Sequence, residues 1–381
     1  MSEKVYMNKE WHGLPVPEYI TTPLPTAAEL VHLCNKTHEL GYTSSLTYPP
    51  DAKCPTYWIK YGSSVIWNEL ASTKMAYEGL RSLGSPVRVP AVYYGCRLAI
   101  PHKDNPSRVP VYRTYLVMEY VKGQTAEQLL QDAGHDEEKK DSTYKQIAFA
   151  LSELHRIPVP EGARPAAVNG GRIRHELFDE NQASLHYRNV TELEDHFNLI
   201  LSLTKARSRV ENLAREPMVF CYSDVWLGNF MFDDEGAITV VDLEDASILP
   251  SSFSRFVLAG TRAKIDRDIS DMVVVPKTEG VDNTTALFAV ARPMVTGSGS
   301  LATAGRKLLG NYERDEPDQV HKVVKDAQGL PVIFAIEPTS PLQYPTFTGP
   351  PSPLPLQPCL PPEAGEACRP PPPLWLGKGQ Q

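Results

Sequence analysis

The sequence predicts an α+β fold in two lobes, one small and built on an antiparallel sheet, the other larger and mainly helical. Three observations predict it. Short apolar runs with strand-like alternation fill much of the first 120 residues; from Gln124 the apolar spacing turns helical; and the run Val219–Leu249 (VFCYSDVWLGNFMFDDEGAITVVDLEDASIL) returns to strands joined by a loop and a DDEG turn. With 381 residues and 41% hydrophobic content, the chain can bury two modest cores.

In chain order, residues 1–25 are polar and punctuated by prolines and read as an N-terminal extension. AAELVHLCNKTHEL then repeats apolar residues at helical spacing, with Thr26 as its expected N-cap. PTYWIKYG, bounded by Pro55 and Gly62, reads as a strand. Trp67 to Leu83 reads as an amphipathic helix presenting Trp67, Leu70, Ala71, Met75 and Leu80. VPAVYYGC and VYRTYLVMEY are two further strands, joined by the turn-rich PHKDNPSRVP. These elements make a first lobe over 26–122.

A second lobe is expected over 123–310. Its first helical stretch offers Tyr144, Ile147, Ala148, Leu151 and Leu154, and its second Leu193, Phe197, Ile200 and Leu203; further helices are expected within 281–309. Residues 311–381 form a tail, and beyond about residue 337 proline dominates. Such composition favours extended, solvated backbone, and Pro350, Pro353, Pro355 and Pro358 have the P-x-x-P spacing of an adaptor ligand, although a tail with no specific partner has the same composition.

Composition narrows the function. A formal charge of −8 and a pI near 5.7 give no basic footprint for nucleic acid. No run of about 18 apolar residues suggests a membrane helix, and the opening MSEKVYMNKEW lacks an apolar leader, so a cytoplasmic setting is expected. Six scattered cysteines contain no C-x-x-C pair and signal neither a zinc site nor a disulfide framework. No G-x-S-x-G elbow suggests a serine hydrolase.

The chemistry concentrates in CYSDVWLGNFMF and AITVVDLED. An aspartate, Asp224, is followed five residues later by Asn229, and Asp242 closes the next apolar strand. This spacing suits metal-assisted phosphoryl transfer: one carboxylate faces a hydroxyl while the other two groups hold Mg²⁺. Lys60, in YWIKYG, is a candidate phosphate-binding lysine, with Glu69 and Glu78 on the next helix as rival partners; a solvated edge lysine fits the same pattern. His155, at the end of SELHRI, reads as a packed or helix-capping histidine, and Glu244 and Asp245 as capping or solvated acids.

WIKYG, NELASTKMAYEGL, VRVPAVYYG, YLVMEYVKGQT, ALSELHRI, CYSDVWLGNF and VVDLED occur in that order. Over roughly residues 25–310 this set resembles the aminoglycoside phosphotransferase and choline kinase group, in the form common among fungal proteins of unassigned substrate. The resemblance implies a protein kinase-like fold with a nucleotide-clamping first lobe. It implies ATP and Mg²⁺ as cofactors and a small-molecule hydroxyl compound as acceptor. Asp224 would be the catalytic base, Asn229 and Asp242 the metal ligands, Lys60 the phosphate lysine and Glu69 its helix partner. Met118 would be the gatekeeper of a hinge in which Glu119, Tyr120 and Val121 meet adenine through main-chain groups. Two departures stand out: Tyr222 occupies a position where the group usually has histidine, and no glycine-rich phosphate loop precedes Lys60, leaving Thr43 to Ser45 as its substitute. A catalytically silent nucleotide-binding or interaction module is the alternative these departures suggest.

Overall fold

The computed structural model describes residues 6–40, 44–50, 52–100, 110–296 and the short segments 323–325 and 331–333. The chain divides into two compact units, one of residues 1–65, 91–120 and 320–381, the other of residues 66–90 and 121–319.

The first unit is an antiparallel five-stranded sheet in the order β1-β4-β5-β3-β2. Its strands are β1 (Tyr6–His12), β2 (Ser45–Tyr48), β3 (Tyr57–Gly62), β4 (Val92–Ile100) and β5 (Val111–Glu119). Helix α1 (Ala27–Leu40) accompanies them. It begins where expected: Thr26 Oγ1 accepts the Glu29 N–H at 3.3 Å while Glu29 Oε2 accepts the Thr26 N–H at 2.8 Å, a reciprocal capping box. Two strands were not foreseen. Tyr6–His12 lies in the stretch read as an extension, yet it pairs with β4 across six register positions. Ser45–Tyr48 lies in the stretch read as a phosphate loop. Neither has the apolar alternation of a buried strand; each is fixed by pairing with a neighbour.

Alternation in β3 places Tyr57, Ile59 and Tyr61 in the core and turns Trp58 and Lys60 to the opposite face. β3 lies between β5 and β2, with Lys60 opposite Leu116 on one side and Ser45 on the other. Lys60 is therefore half-buried in an interior strand, which removes the solvated-edge reading.

The second unit carries the larger core. Its helices are α2 (Asn68–Ser82), α3 (Ala126–Ala133), α4 (Glu137–His155), α5 (Val190–Leu203), α6 (Ser252–Ala259), α7 (Thr261–Ile265) and α8 (Thr284–Thr296). Gly134, at φ +54°, breaks the first expected helical stretch into α3 and α4, which start from caps at Thr125 and Asp136. Tyr144, Ile147, Ala148, Leu151 and Leu154 all reach the core as expected. On α5 the buried apolar set is Leu193, Phe197, Ile200 and Leu201, whereas Leu203 is 53% exposed. Leu203 sits in the last turn at the margin of the apolar face, and Leu201 takes the place expected for it.

Two small antiparallel sheets complete this unit, β7-β11-β8 and β10-β9-β6. Their strands are β6 (Gln124–Thr125), β7 (Ala166–Ala167), β8 (Met218–Tyr222), β9 (Phe230–Phe232), β10 (Ile238–Val240) and β11 (Ala246–Pro250). Gly123 is sterically required: at φ +140°, a Cβ there would lie 2.1 Å from the Phe232 carbonyl oxygen.

The fold class is thus the expected one, α+β, with a sheet-built unit and a mainly helical one. The connector 101–109, the segment around Thr43 and most of the tail, including its P-x-x-P prolines, lie outside the described residues. Within 311–381, β12 (Val323–Lys325) pairs antiparallel with β13 (Pro331–Ile333). Cys34, Cys96 and Cys221 are buried free thiols. Cys54 is disulfide-bonded, which the scatter of cysteines did not signal. Among the described residues no helix is long and apolar enough to cross a membrane.

Candidate active site

The run Val219–Leu249 folds as one hairpin nested in another. The outer pair sets β8 against β11, with Tyr222 opposite Ala246; the inner pair sets β9 against β10, with Phe230 opposite Val240. Asp233 Oδ1 closes the inner turn by accepting the N–H groups of Glu235 and Ala237 at 3.0 and 2.8 Å. The two crossings between the pairs carry Asp224 and Asn229 on one side and Asp242 on the other. Sequence spacing and nested pairing together bring the three residues to one end of the strands.

The hydroxyl of Tyr222 marks the centre of this group. Asn229 Nδ2 donates to Tyr222 Oη at 2.8 Å, to the Asp224 carbonyl at 2.9 Å and to Asp224 Oδ2 at 3.1 Å. The Val241 N–H donates to the Asn229 carbonyl at 2.9 Å, which fixes the residue before Asp242 against the same loop. Burial holds the Tyr222 phenol well above its ordinary range, reinforced by the charges of Asp224 and Asp242. Asn229 is fully buried, and its Oδ1 accepts no hydrogen bond. Asp242 itself has φ +58°, a left-handed conformation that aspartate tolerates better than most residues.

Helix α2 is fastened to the segment just after Asp242. Asn68 Nδ2 donates to the carbonyls of Glu244 and Ala246, both at 2.8 Å, and Asn68 Oδ1 accepts the Asn169 N–H at 3.0 Å. Ser72 Oγ donates to the Leu243 carbonyl at 2.5 Å. This contact explains why Asn68, Glu69, Ser72 and Thr73 are buried, a polar first half that an amphipathic reading of the helix did not anticipate. It also brings carboxylate oxygens of Glu69, Asp242 and Glu244 within 4.8 Å of one another.

Asp245 is neither a cap nor a solvated acid. It is 3% exposed and accepts from Arg174 Nε at 3.0 Å, Arg174 Nη2 at 2.7 Å and Asn181 Nδ2 at 2.6 Å. Desolvation raises its carboxyl above the usual range, and Arg174 opposes the rise. The Asp245 carbonyl accepts both the N–H and the hydroxyl of Ser223 at 3.0 Å, tying the loop before Asp224 to the strand after Asp242. Glu176 is ion-paired with Lys264, whose Nζ lies 3.4 Å from the Ser223 carbonyl. His155 is buried and its Nδ1 lies 3.2 Å from the Val274 carbonyl, the packed role expected of it.

In the first unit, Met118 is buried opposite Trp58 and Val92. Two of the main-chain N–H groups expected to face a purine are committed to the sheet itself. Glu119 donates to the Ala91 carbonyl at 2.8 Å and Tyr120 to the Thr56 carbonyl at 3.1 Å. Ser45, expected to touch phosphate, is a buried strand residue opposite Lys60.

The hairpin thus carries Asp224, the buried Asn229 and Asp242, with Glu69 and Glu244 close to Asp242. Residues 69–252, just under half of the chain, match the model of the phosphotransferase enzyme family. The match includes Glu69, Met118 to Val121, Asp224, Asn229 and Asp242 and leaves Lys60 outside. No curated protein matches the chain. Among solved structures, the streptomycin–ATP ternary complex of APH(2")-IIa is 19% identical, with 61% of this chain and 76% of that one covered and a TM-score of 0.30. The aminoglycoside phosphotransferase APH(4)-Ia is 12% identical, with 73% and 96% covered and a TM-score of 0.37. The AMP-bound spectinomycin phosphotransferase APH(9)-Ia is 13% identical, with 67% and 81% covered and a TM-score of 0.35.

Proposed function

We propose that this protein transfers the γ-phosphoryl group of ATP to a hydroxyl of a small molecule with Mg²⁺ present. The observation that carries the reading is the buried Oδ1 of Asn229, left without a hydrogen bond in a site where Asp224 and Asp242 both bear on Tyr222. An uncompensated buried amide oxygen costs on the order of 1–3 kcal/mol, and a cation ligated there offsets that cost. The donor set, an amide oxygen and a carboxylate, suits a hard divalent ion. Asn229 and Asp242 are its proposed holders, and the ion would neutralise charge on the triphosphate.

In the proposed reaction Asp224 orients the acceptor hydroxyl and takes its proton as the oxygen attacks the γ-phosphorus; the bond to the β-phosphate oxygen breaks and ADP leaves. Asp224 is held for this by the Asn229 amide, which donates to both its carbonyl and its carboxylate. Lys60, on β3, is the proposed cation for the non-transferred phosphates. The Val121 N–H and the Glu119 carbonyl are the proposed hinge contacts to adenine, with Met118 as gatekeeper. Glu69 is assigned to the same machinery, with Asp242 and Glu244 as its carboxylate neighbours in its own unit. A cytoplasmic setting, where ATP is supplied, belongs to the same reading.

Thermal unfolding of the full chain with ATP alone, Mg²⁺ alone and both together tests the site, because a ligand bound only by the folded state raises stability by linkage. A rise that needs both and is lost in Asp242→Asn is expected. ADP release with a panel of amino sugars and amino alcohols then tests transfer, with Asp224→Asn expected to keep nucleotide affinity and lose about 10²-fold or more in turnover. Nucleotide binding without stimulated ADP release would favour the silent binding module, and no rise with saturating ligands would overturn the reading.

A further inference from the structure

We infer that Tyr222 is the positioning residue for Asn229: its hydroxyl holds the Asn229 amide in the one orientation that presents Oδ1 to a divalent cation. The inference rests on the phosphotransfer reading above and assigns a role to the residue at which this chain departs from the histidine usual in its group.

The geometry fixes which way the amide points. Asn229 Nδ2 has three oxygen neighbours, Tyr222 Oη at 2.8 Å, the Asp224 carbonyl at 2.9 Å and Asp224 Oδ2 at 3.1 Å. The backbone carbonyl oxygen can only accept, so the nitrogen must face it. A carboxamide is planar, and seating Nδ2 among these acceptors sends Oδ1 the opposite way, where it is buried and accepts no hydrogen bond. Tyr222 makes the shortest of the three contacts and is itself 3% exposed, placed by its pairing with Ala246 in β11. Its phenol is uncharged, so it takes the amide hydrogen without adding a charge beside Asp224 and Asp242. Without it the amide keeps only contacts to Asp224, a residue that the reaction requires for the acceptor. Tyr222 thus divides the work: Asn229 is oriented without drawing fully on the Asp224 carboxylate.

The test is the Mg²⁺ concentration that gives half of the thermal stabilisation of the full-length chain at fixed adenylyl imidodiphosphate, an analogue that does not transfer its terminal group. In Tyr222→Phe this midpoint should rise about 10-fold or more, the usual cost of removing a group that orients a metal ligand, while affinity for the metal-free nucleotide is unchanged. In Asn229→Ala the midpoint should also rise, and adding Tyr222→Phe to that variant should move it no further, since no amide remains to orient. An unchanged midpoint in Tyr222→Phe, or additive shifts in the double variant, would overturn the inference while leaving the phosphotransfer reading intact. A wild-type chain that gains no stability from Mg²⁺ and nucleotide together would instead remove that reading and the inference with it. Should Tyr222→Phe fail to fold, amide NMR of the wild-type chain decides: the carboxamide pair lost in Asn229→Ala should resist exchange with D₂O, and rapid exchange would overturn the clamp.

Discussion

Arg174 meets Asp245 with two nitrogens, Nε at 3.0 Å and Nη2 at 2.7 Å, and the two side chains are only 10% and 4% exposed. A pair this deeply buried returns little net stability, because the cost of desolvating both charges cancels much of their attraction, but breaking it leaves one charge alone. Arg174→Met should therefore cost about 3–5 kcal/mol in urea unfolding at pH 7. The Asp245 carboxyl already titrates above its unfolded range and should rise further without the guanidinium. The folded state then holds the proton more tightly than the unfolded chain, so stability falls as pH rises through that window. The deficit of Arg174→Met should consequently shrink as pH is lowered toward 4. A deficit that does not vary with pH would show that Arg174 acts through packing.

Asn68 is expected to be the most sensitive polar residue of α2. Replacing this buried side chain with alanine removes the hydrogen bonds to the carbonyls of Glu244 and Ala246 and the acceptor of the Asn169 N–H. Asn68→Ala should cost about 2–4 kcal/mol on the scale of one to two unsatisfied buried groups. It should also raise hydrogen exchange at residues 243–246, which a purely local loss of helix stability would leave protected.

Asp242 separates backbone strain from chemistry. At φ +58° a residue with a plain Cβ is disfavoured, whereas asparagine shares the tolerance of aspartate. Without ligands, Asp242→Asn should match the wild type within about 0.5 kcal/mol, and Asp242→Ala should be less stable by about 1–2 kcal/mol. Differential scanning calorimetry of the two variants without ligand checks this ordering, and equal stability would place the strain elsewhere.

Acid should destabilise the protein through two buried histidines. Burial lowers His175 to about 3 and His155 to about 4, with the Val274 carbonyl opposing the shift at His155. Both stay neutral in the folded chain when the unfolded chain has begun to take protons near 6.5, so their contribution is present above about 6.5 and lost as pH falls toward 4. Each should contribute a slope of up to about 1.4 kcal/mol per pH unit within that window. Urea unfolding between pH 7.5 and 4.5 checks this, and His155→Gln should flatten the slope; an unchanged slope would mean that His155 is charged when folded.

Helices α1 and α2 and the hairpin that carries the candidate site residues were legible because each depends on chain-local spacing. Thr26 and Glu29 sit three apart as a capping box demands, and Asp224, Asn229 and Asp242 lie at the ends of apolar runs that only a hairpin can place. Tyr6–His12, Ser45–Tyr48, Arg174 and Asn68 were not legible as what they are. Their partners lie many residues away, and nothing in their own neighbourhoods marks a strand, a buried ion pair or a docking contact.

The sequence by itself determined the α+β class, the placement of α1 and α2 and the core-facing residues of α4, since periodicity, caps and turns act over a few residues. The tertiary structure alone decided that the first turns of α2 are buried against residues 243–246, that Asp245 belongs to Arg174, and that Tyr222 turns the amide of Asn229. These are long-range choices between polar partners, and a buried polar group takes the partner that the packed core leaves within reach.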